Sequence, residues 1–127
     1  MFIRPIAAVI DDDNSIRTAM SSLVRSLDWD VKLFASAESF LASDVVANTA
    51  CIISDIQMPG MSGLDMYRHL LEKGAARPIM FMSAFASEAM RRQALDLGAT
   101  CVLTKPVDDA QVSNWLALFE ATRLHSE

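Results

Sequence analysis

Residues 6–27, IAAVIDDDNSIRTAMSSLVRSL, contain a strand, an acidic turn and a helix in succession. Ile6 to Ile10 are apolar without a polar alternation. A strand reads that way when both of its faces are covered, as in a parallel sheet. Asp11, Asp12 and Asp13 follow at once, at the carboxyl end of that strand. Beyond them Ile16, Met20, Leu23, Val24 and Leu27 recur at the spacing of one helix face.

The same unit repeats along the chain. Apolar runs stand at 31–34 (VKLF), 50–54 (ACIIS), 79–82 (IMFM) and 101–104 (CVLT). Only VKLF alternates, which predicts a strand nearer an edge. Residues 36–43 (SAESFLAS) predict a short helix capped by Ser36. Leu64, Tyr67 and Leu71 mark the buried face of a third helix, Met90, Ala94 and Leu97 that of a fourth. Val112, Trp115, Leu116 and Phe119 do so for a fifth. Gly74 and Gly98 stand where left-handed helix ends fall, and Asp108 with Gln111 suggests a capping box. Gly60 and Gly63 are read as turn formers. Five βα units predict an α/β fold with right-handed crossovers, too few for an eight-stranded barrel. The simplest solution is a flavodoxin-like sheet of order 2-1-3-4-5 with helices on both faces. One domain is expected over residues 1–127, with its core at about 6–121.

Composition narrows the function classes. With 52% apolar and 21% charged residues, the 127-residue chain is no disordered segment. No apolar run approaches the roughly 20 residues of a membrane span. The first residues carry no small-residue cleavage site before the aspartates. A cytoplasmic protein without membrane contact is expected. Eleven Lys and Arg against sixteen Asp and Glu give a net charge of −5, with no basic stripe for nucleic acid. Cys51 and Cys101 sit in apolar runs without CxxC spacing, which predicts buried, reduced thiols. The methionines at 58, 61, 66, 80 and 82 read as packing residues, and His69 and His125 as solvated helix positions.

Open α/β sheets bind ligands beyond the carboxyl ends of their strands, where the strand order reverses. Here those ends are Asp11–Asp13, Ser54–Asp55, Met82–Ala84 and Thr104–Pro106. Carboxylates, a hydroxyl and an ammonium therefore share one rim. Crowded carboxylates repel unless neutralised. Lys105 supplies one positive charge, and a hard divalent cation such as Mg²⁺ would supply two more. That combination suits phosphoryl chemistry. It does not suit a flavin phosphate, which three aspartates would repel.

The segments VIDDD (9–13), SDIQMPGMSGLDM (54–66), PIMFMSA (78–84) and GATCVLTKP (98–106) resemble the receiver domain of bacterial two-component response regulators. The loops are most similar to the FixJ-type branch, in which a helix-turn-helix DNA-binding domain commonly follows. The resemblance implies that Asp55 is the phosphoacceptor, served by a histidine kinase or phosphotransfer protein. It implies that Asp12 ligates Mg²⁺ (or Mn²⁺) directly, Asp11 mainly through water, and that Asp55 and the backbone carbonyl of Gln57 complete the site. Ser83 matches the switch hydroxyl, Lys105 the phosphate-pairing ammonium, and Pro106 a proline that usually follows a cis peptide. The fourth helix, fifth strand and fifth helix would form the switching and homodimer surface. DNA would be reached only through an output domain outside this chain.

Receivers commonly carry Tyr or Phe where Val102 stands, and Phe85 lies two residues beyond the switch hydroxyl. With Gln57 it is placed to control the approach of water to an acyl phosphate. Two other readings compete. A haloacid-dehalogenase-type phosphatase needs D-x-D, which Asp11 and Asp13 satisfy, but also a cap insertion that has no counterpart here. A pure interaction module would not need Asp12, Asp55, Ser83 and Lys105 together.

Overall fold

The computed structural model describes residues 4–125. Five parallel strands, β1 (Ile6–Ile10), β2 (Asp30–Phe34), β3 (Cys51–Asp55), β4 (Ile79–Ser83) and β5 (Cys101–Thr104), form one sheet of order β2-β1-β3-β4-β5. The helices are α1 (Asn14–Ser26), α2 (Ala37–Ala42), α3 (Gly63–Glu72), α4 (Glu88–Leu97) and α5 (Asp109–His125). A short 3₁₀ turn, Val46–Asn48, lies between α2 and β3, beyond the elements the sequence predicts. Strand order and helix number agree with the sequence expectation.

The central strands are apolar on both sides because each side has its own core. Ala8, Ile10, Ile52, Ile79 and Phe81 face α2, α3 and α4. Ala7, Val9, Ile53, Met80 and Met82 face α1 and α5, with Trp29, Val112 and Leu116. Side chains alternate across a strand, so two buried layers require an unbroken apolar run. β2 is an edge strand, as expected, but its burial does not alternate: Val31 is buried, whereas Leu33, on the same face two residues on, is exposed.

Several local expectations hold. Ser36 accepts from the N–H of Ser39, and Asp13 caps α1 by accepting from Ser15 and Ile16. Gly74 and Gly98 both adopt positive φ at helix ends. Others are corrected. On α3 the buried arc centres on Met66, Tyr67 and Leu70, so Leu71 falls at its margin and is exposed. Cys51 is buried, but Cys101 is only half-buried because β5 is the other edge strand. Burial pushes the Cys51 thiol up to about 12, so it stays protonated. Asp108 accepts from the N–H of Ala110, while the N–H of Gln111 goes to the Asp108 carbonyl, so the cap is not the reciprocal box. The side chains of Phe119 and His125 lie outside the described residues.

Gly63 is not a turn former. A Cβ there would stand 2.3 Å from the carbonyl oxygen of Asp55 and 3.1 Å from the Phe81 ring. Its N–H donates to the Ile56 carbonyl at 2.8 Å. Glycine lets the first turn of α3 lie against the backbone of Asp55 itself. Gly60, by contrast, does have the positive φ of a turn.

Candidate functional site

Register brings the strand ends together. Ile10 pairs with Ser54, so Asp11 and Asp55 come next on adjacent strands. Asp55 pairs with Met82 and Ser83 with Thr104, which places Ser83 and Lys105 on the same rim. One carboxylate oxygen from each of Asp11, Asp12 and Asp55 lies within 4.8 Å of the others. Asp11 and Asp55 are buried and Asp12 is exposed.

Lys105 reaches across the cluster. Its Nζ donates to Asp11 Oδ2 at 2.8 Å and to Asp55 Oδ2 at 3.1 Å. The peptide bond between Lys105 and Pro106 is cis, as the sequence resemblance implied. Asp11 Oδ1 accepts from the N–H of Asp13, and its carbonyl accepts from the Arg17 guanidinium at 2.6 Å. Asp13 itself turns away to cap α1, so Asp11 and Asp13 do not form a D-x-D pair over the site.

The electrostatics follow from this crowding. Burial raises the Asp55 carboxyl above its usual range, and the charge of Asp11 adds to that. The Lys105 ammonium and the Gln57 N–H pull it back only in part. Burial works to lower the pKa of Lys105, but its bonds to Asp11 and Asp55 and their charges outweigh it, so the net shift is upward. Three carboxylates thus face one directly bonded ammonium. The unneutralised charge and the all-oxygen donor set fit a hard divalent cation, which takes such ligands while keeping several waters.

Ser83 is fully buried. Its Oγ accepts from the N–H of Phe85 at 3.2 Å and donates to Gln57 Oε1 at 3.3 Å. The backbone N–H of Gln57 donates to Asp55 Oδ1 at 3.3 Å. The Phe85 ring is 80% exposed, so that residue meets the site through its backbone. Val102 is buried beside Ala94 and Tyr67 in one core layer. Two contributors had no signal in the sequence. Glu38 on α2 accepts from the N–H of Met61 and so holds the loop after β3. Arg17 lies one turn into α1, in a position that reads as an ordinary solvated residue.

The fold and the acidic rim accord with one family of two-component signalling domains. Residues 7–117 match the response regulator receiver domain family, and the chain belongs to it. Over 98 residues it is 44% identical to the response regulator protein TmoT of Ectopseudomonas mendocina, covering 77% of this chain and 44% of that protein. It is 36% identical over 104 residues to the transcriptional regulatory protein FixJ of Azorhizobium caulinodans, covering 82% of this chain and 49% of that one. The match therefore spans less than half the length of these relatives. The structure of Vibrio cholerae chemotaxis protein CheY4 has the same fold, with a TM-score of 0.83 at 24% identity, covering 92% of this chain and 99% of that one. These relatives are signalling proteins, and among the described residues no helix is long and apolar enough to cross a membrane.

Proposed function

We propose that the chain is a phosphoacceptor that takes a phosphoryl group on Asp55 from a histidine kinase or phosphotransfer protein. The observation that carries this reading is the convergence of Asp11, Asp12 and Asp55 within 4.8 Å, with Lys105 bonded to two of them. A carboxylate oxygen of Asp55 attacks phosphorus. The bond from phosphorus to the donor's imidazole nitrogen breaks, its electron pair stays on the ring, and an acyl phosphate forms. Lys105, held cationic by its raised pKa, pairs with the phosphoryl oxygens. Ser83 supplies a hydroxyl to the same group. Asp11, Asp12, Asp55 and the Gln57 carbonyl would hold Mg²⁺ (or Mn²⁺), which supplies positive charge to the transferring oxygens. The chain turns over no other substrate; it catalyses only its own phosphoryl acceptance and loss.

Residues 1–127 act in this reading as one cytoplasmic receiver domain. A depression of about 440 Å³ beside Lys105, lined by Ile16, Met20, Leu23, Pro106 and Val107, offers the phosphodonor protein an apolar foothold. Phosphorylation adds charge and strong acceptors. Ser83 then draws residues 84–88 inward and changes the surface of α4, β5 and α5. That surface controls an output domain or partner and supports a homodimer, and any DNA contact belongs to the output domain. The test is incubation with acetyl phosphate and Mg²⁺ followed by intact mass. The wild type gains one phosphoryl group and Asp55→Asn gains none. Gain at the wild-type rate in the variant would overturn the assignment.

A further inference from the structure

Gln57 touches both ends of the phosphoryl site. Its backbone N–H donates to Asp55 Oδ1, and its side-chain oxygen accepts from the Ser83 hydroxyl. Ser83 has one hydrogen to give. Its oxygen already accepts from the N–H of Phe85, and the residue is fully buried, so that hydrogen must find an acceptor within the protein. In this structure the acceptor is the Gln57 amide. Gln57 is itself exposed, so its amide can return to water once released.

We propose that the Gln57 side chain is a resting-state latch, a positioning residue that holds the Ser83 hydroxyl away from Asp55 until a phosphoryl oxygen displaces it. The inference rests on the receiver reading above and adds the partner from which Ser83 is taken. The competition has a built-in direction. The amide oxygen is a neutral acceptor, whereas a phosphoryl oxygen is charged, and charge-assisted hydrogen bonds are roughly twice as strong. An empty site therefore keeps the latch closed, and a phosphorylated one opens it. Breaking the latch subtracts from the free energy of switching. Gln57 thus sets how far a phosphoryl group must favour the active arrangement before the loop at 84–88 moves.

The consequences are measurable in the full chain. Gln57→Met keeps length but removes the acceptor. With Mg²⁺ present, it should bind the phosphoryl mimic beryllofluoride roughly three- to tenfold more tightly than wild type, the range one neutral hydrogen bond spans. In a Ser83→Ala background the same substitution should change the affinity little, because no hydroxyl remains to be latched. A second readout needs no ligand. The Phe85 N–H bonds the same oxygen, so its amide ¹H–¹⁵N shift in Gln57→Met should move toward the beryllofluoride-bound position. Gln57→Glu keeps an acceptor oxygen, now a charged one, so its Phe85 shift should move no closer to the beryllofluoride-bound position than that of wild type. Unchanged or weaker mimic binding in Gln57→Met, or an equal change without the Ser83 hydroxyl, overturns the latch. If the wild type takes no beryllofluoride, the receiver reading itself fails. The latch is then overturned separately if the Phe85 shift of Gln57→Met equals that of wild type.

Discussion

The guanidinium of Arg91 donates to the backbone carbonyl of Val102 at 2.5 Å. Arg91 sits in the first turns of α4 and Val102 in β5, an edge strand with backbone groups outside the ladder. A weaker contact to Thr104 Oγ1 at 3.4 Å lies on the same strand. Arg91 thereby ties α4 to β5 where many receivers carry a large aromatic. Arg91→Met keeps the aliphatic stem and removes the donors. It should cost about 1–2 kcal/mol, less than the roughly 1.5–3 kcal/mol of a fully buried charged hydrogen bond because the site is only half-buried. Urea unfolding gives the magnitude, and amide exchange should quicken at 101–104. Unchanged protection there would show that the contact holds nothing.

Gly63 gives a sharper steric case. Gly63→Ala puts a methyl against the Asp55 backbone, which cannot move without moving the Asp55 carboxylate. A destabilisation of about 1–3 kcal/mol is expected, typical of overpacking in a tight interior. The variant should also bind Mg²⁺ less well, because the strand end that carries Asp55 shifts. Wild-type stability together with wild-type Mg²⁺ affinity would show that the backbone yields freely.

Metal and charge should oppose each other at the rim. Without divalent cation, Asp55→Asn should melt higher than wild type at pH 7, since it removes a carboxylate whose pKa burial has raised. A group with a raised acidic pKa costs stability above that pKa, and the cost fades as the pH falls through it. The gap between the two proteins should therefore narrow toward pH 4. Saturating Mg²⁺ should reverse the order, because a ligand at one hundred times its Kd stabilises by about 2.7 kcal/mol. Asp12→Ala should likewise melt no lower than wild type in the metal-free form, yet bind Mg²⁺ about tenfold or more weakly. Calorimetric titration that fails to separate Asp12→Ala from wild type would remove Asp12 from the ligand set.

Lys105 predicts a loss at the alkaline end. Its folded pKa lies above the usual lysine value of 10.5. The stability it contributes is fully present below the unfolded pKa and is lost as the pH rises through the folded one. Lys105→Met should be less stable than wild type from pH 6 to 10, with Asp11 and Asp55 left unpaired, and the difference should shrink above pH 10.5. Thermal melts across that range check it. A difference that grows with alkalinity would contradict the pairing.

The sheet and its rim were legible in the sequence for one reason. A parallel strand buried on both faces must be apolar at every position, so Ala7–Ile10, Cys51–Ile53 and Ile79–Met82 announce themselves, and the polar residue that ends each run marks the rim. Asp11 and Ser83 stand at that break, Asp55 lies one residue past it after the buried Ser54, and Lys105 follows Thr104 at the end of β5. Tertiary structure alone decided the rest. Leu70 rather than Leu71 is buried because the α3 arc turns toward Phe81, which a two-leucine pattern does not resolve. Gly63 is needed because α3 packs against the Asp55 carbonyl, a distance between elements that no local propensity encodes. The Gln57–Ser83 and Arg91–Val102 contacts join residues 26 and 11 positions apart through single hydrogen bonds. Each is worth on the order of 1 kcal/mol. Hydrophobic burial, summed over dozens of residues, writes a periodic pattern into the chain, but one hydrogen bond between residues far apart in sequence leaves no period and exists only once the fold has brought its partners together.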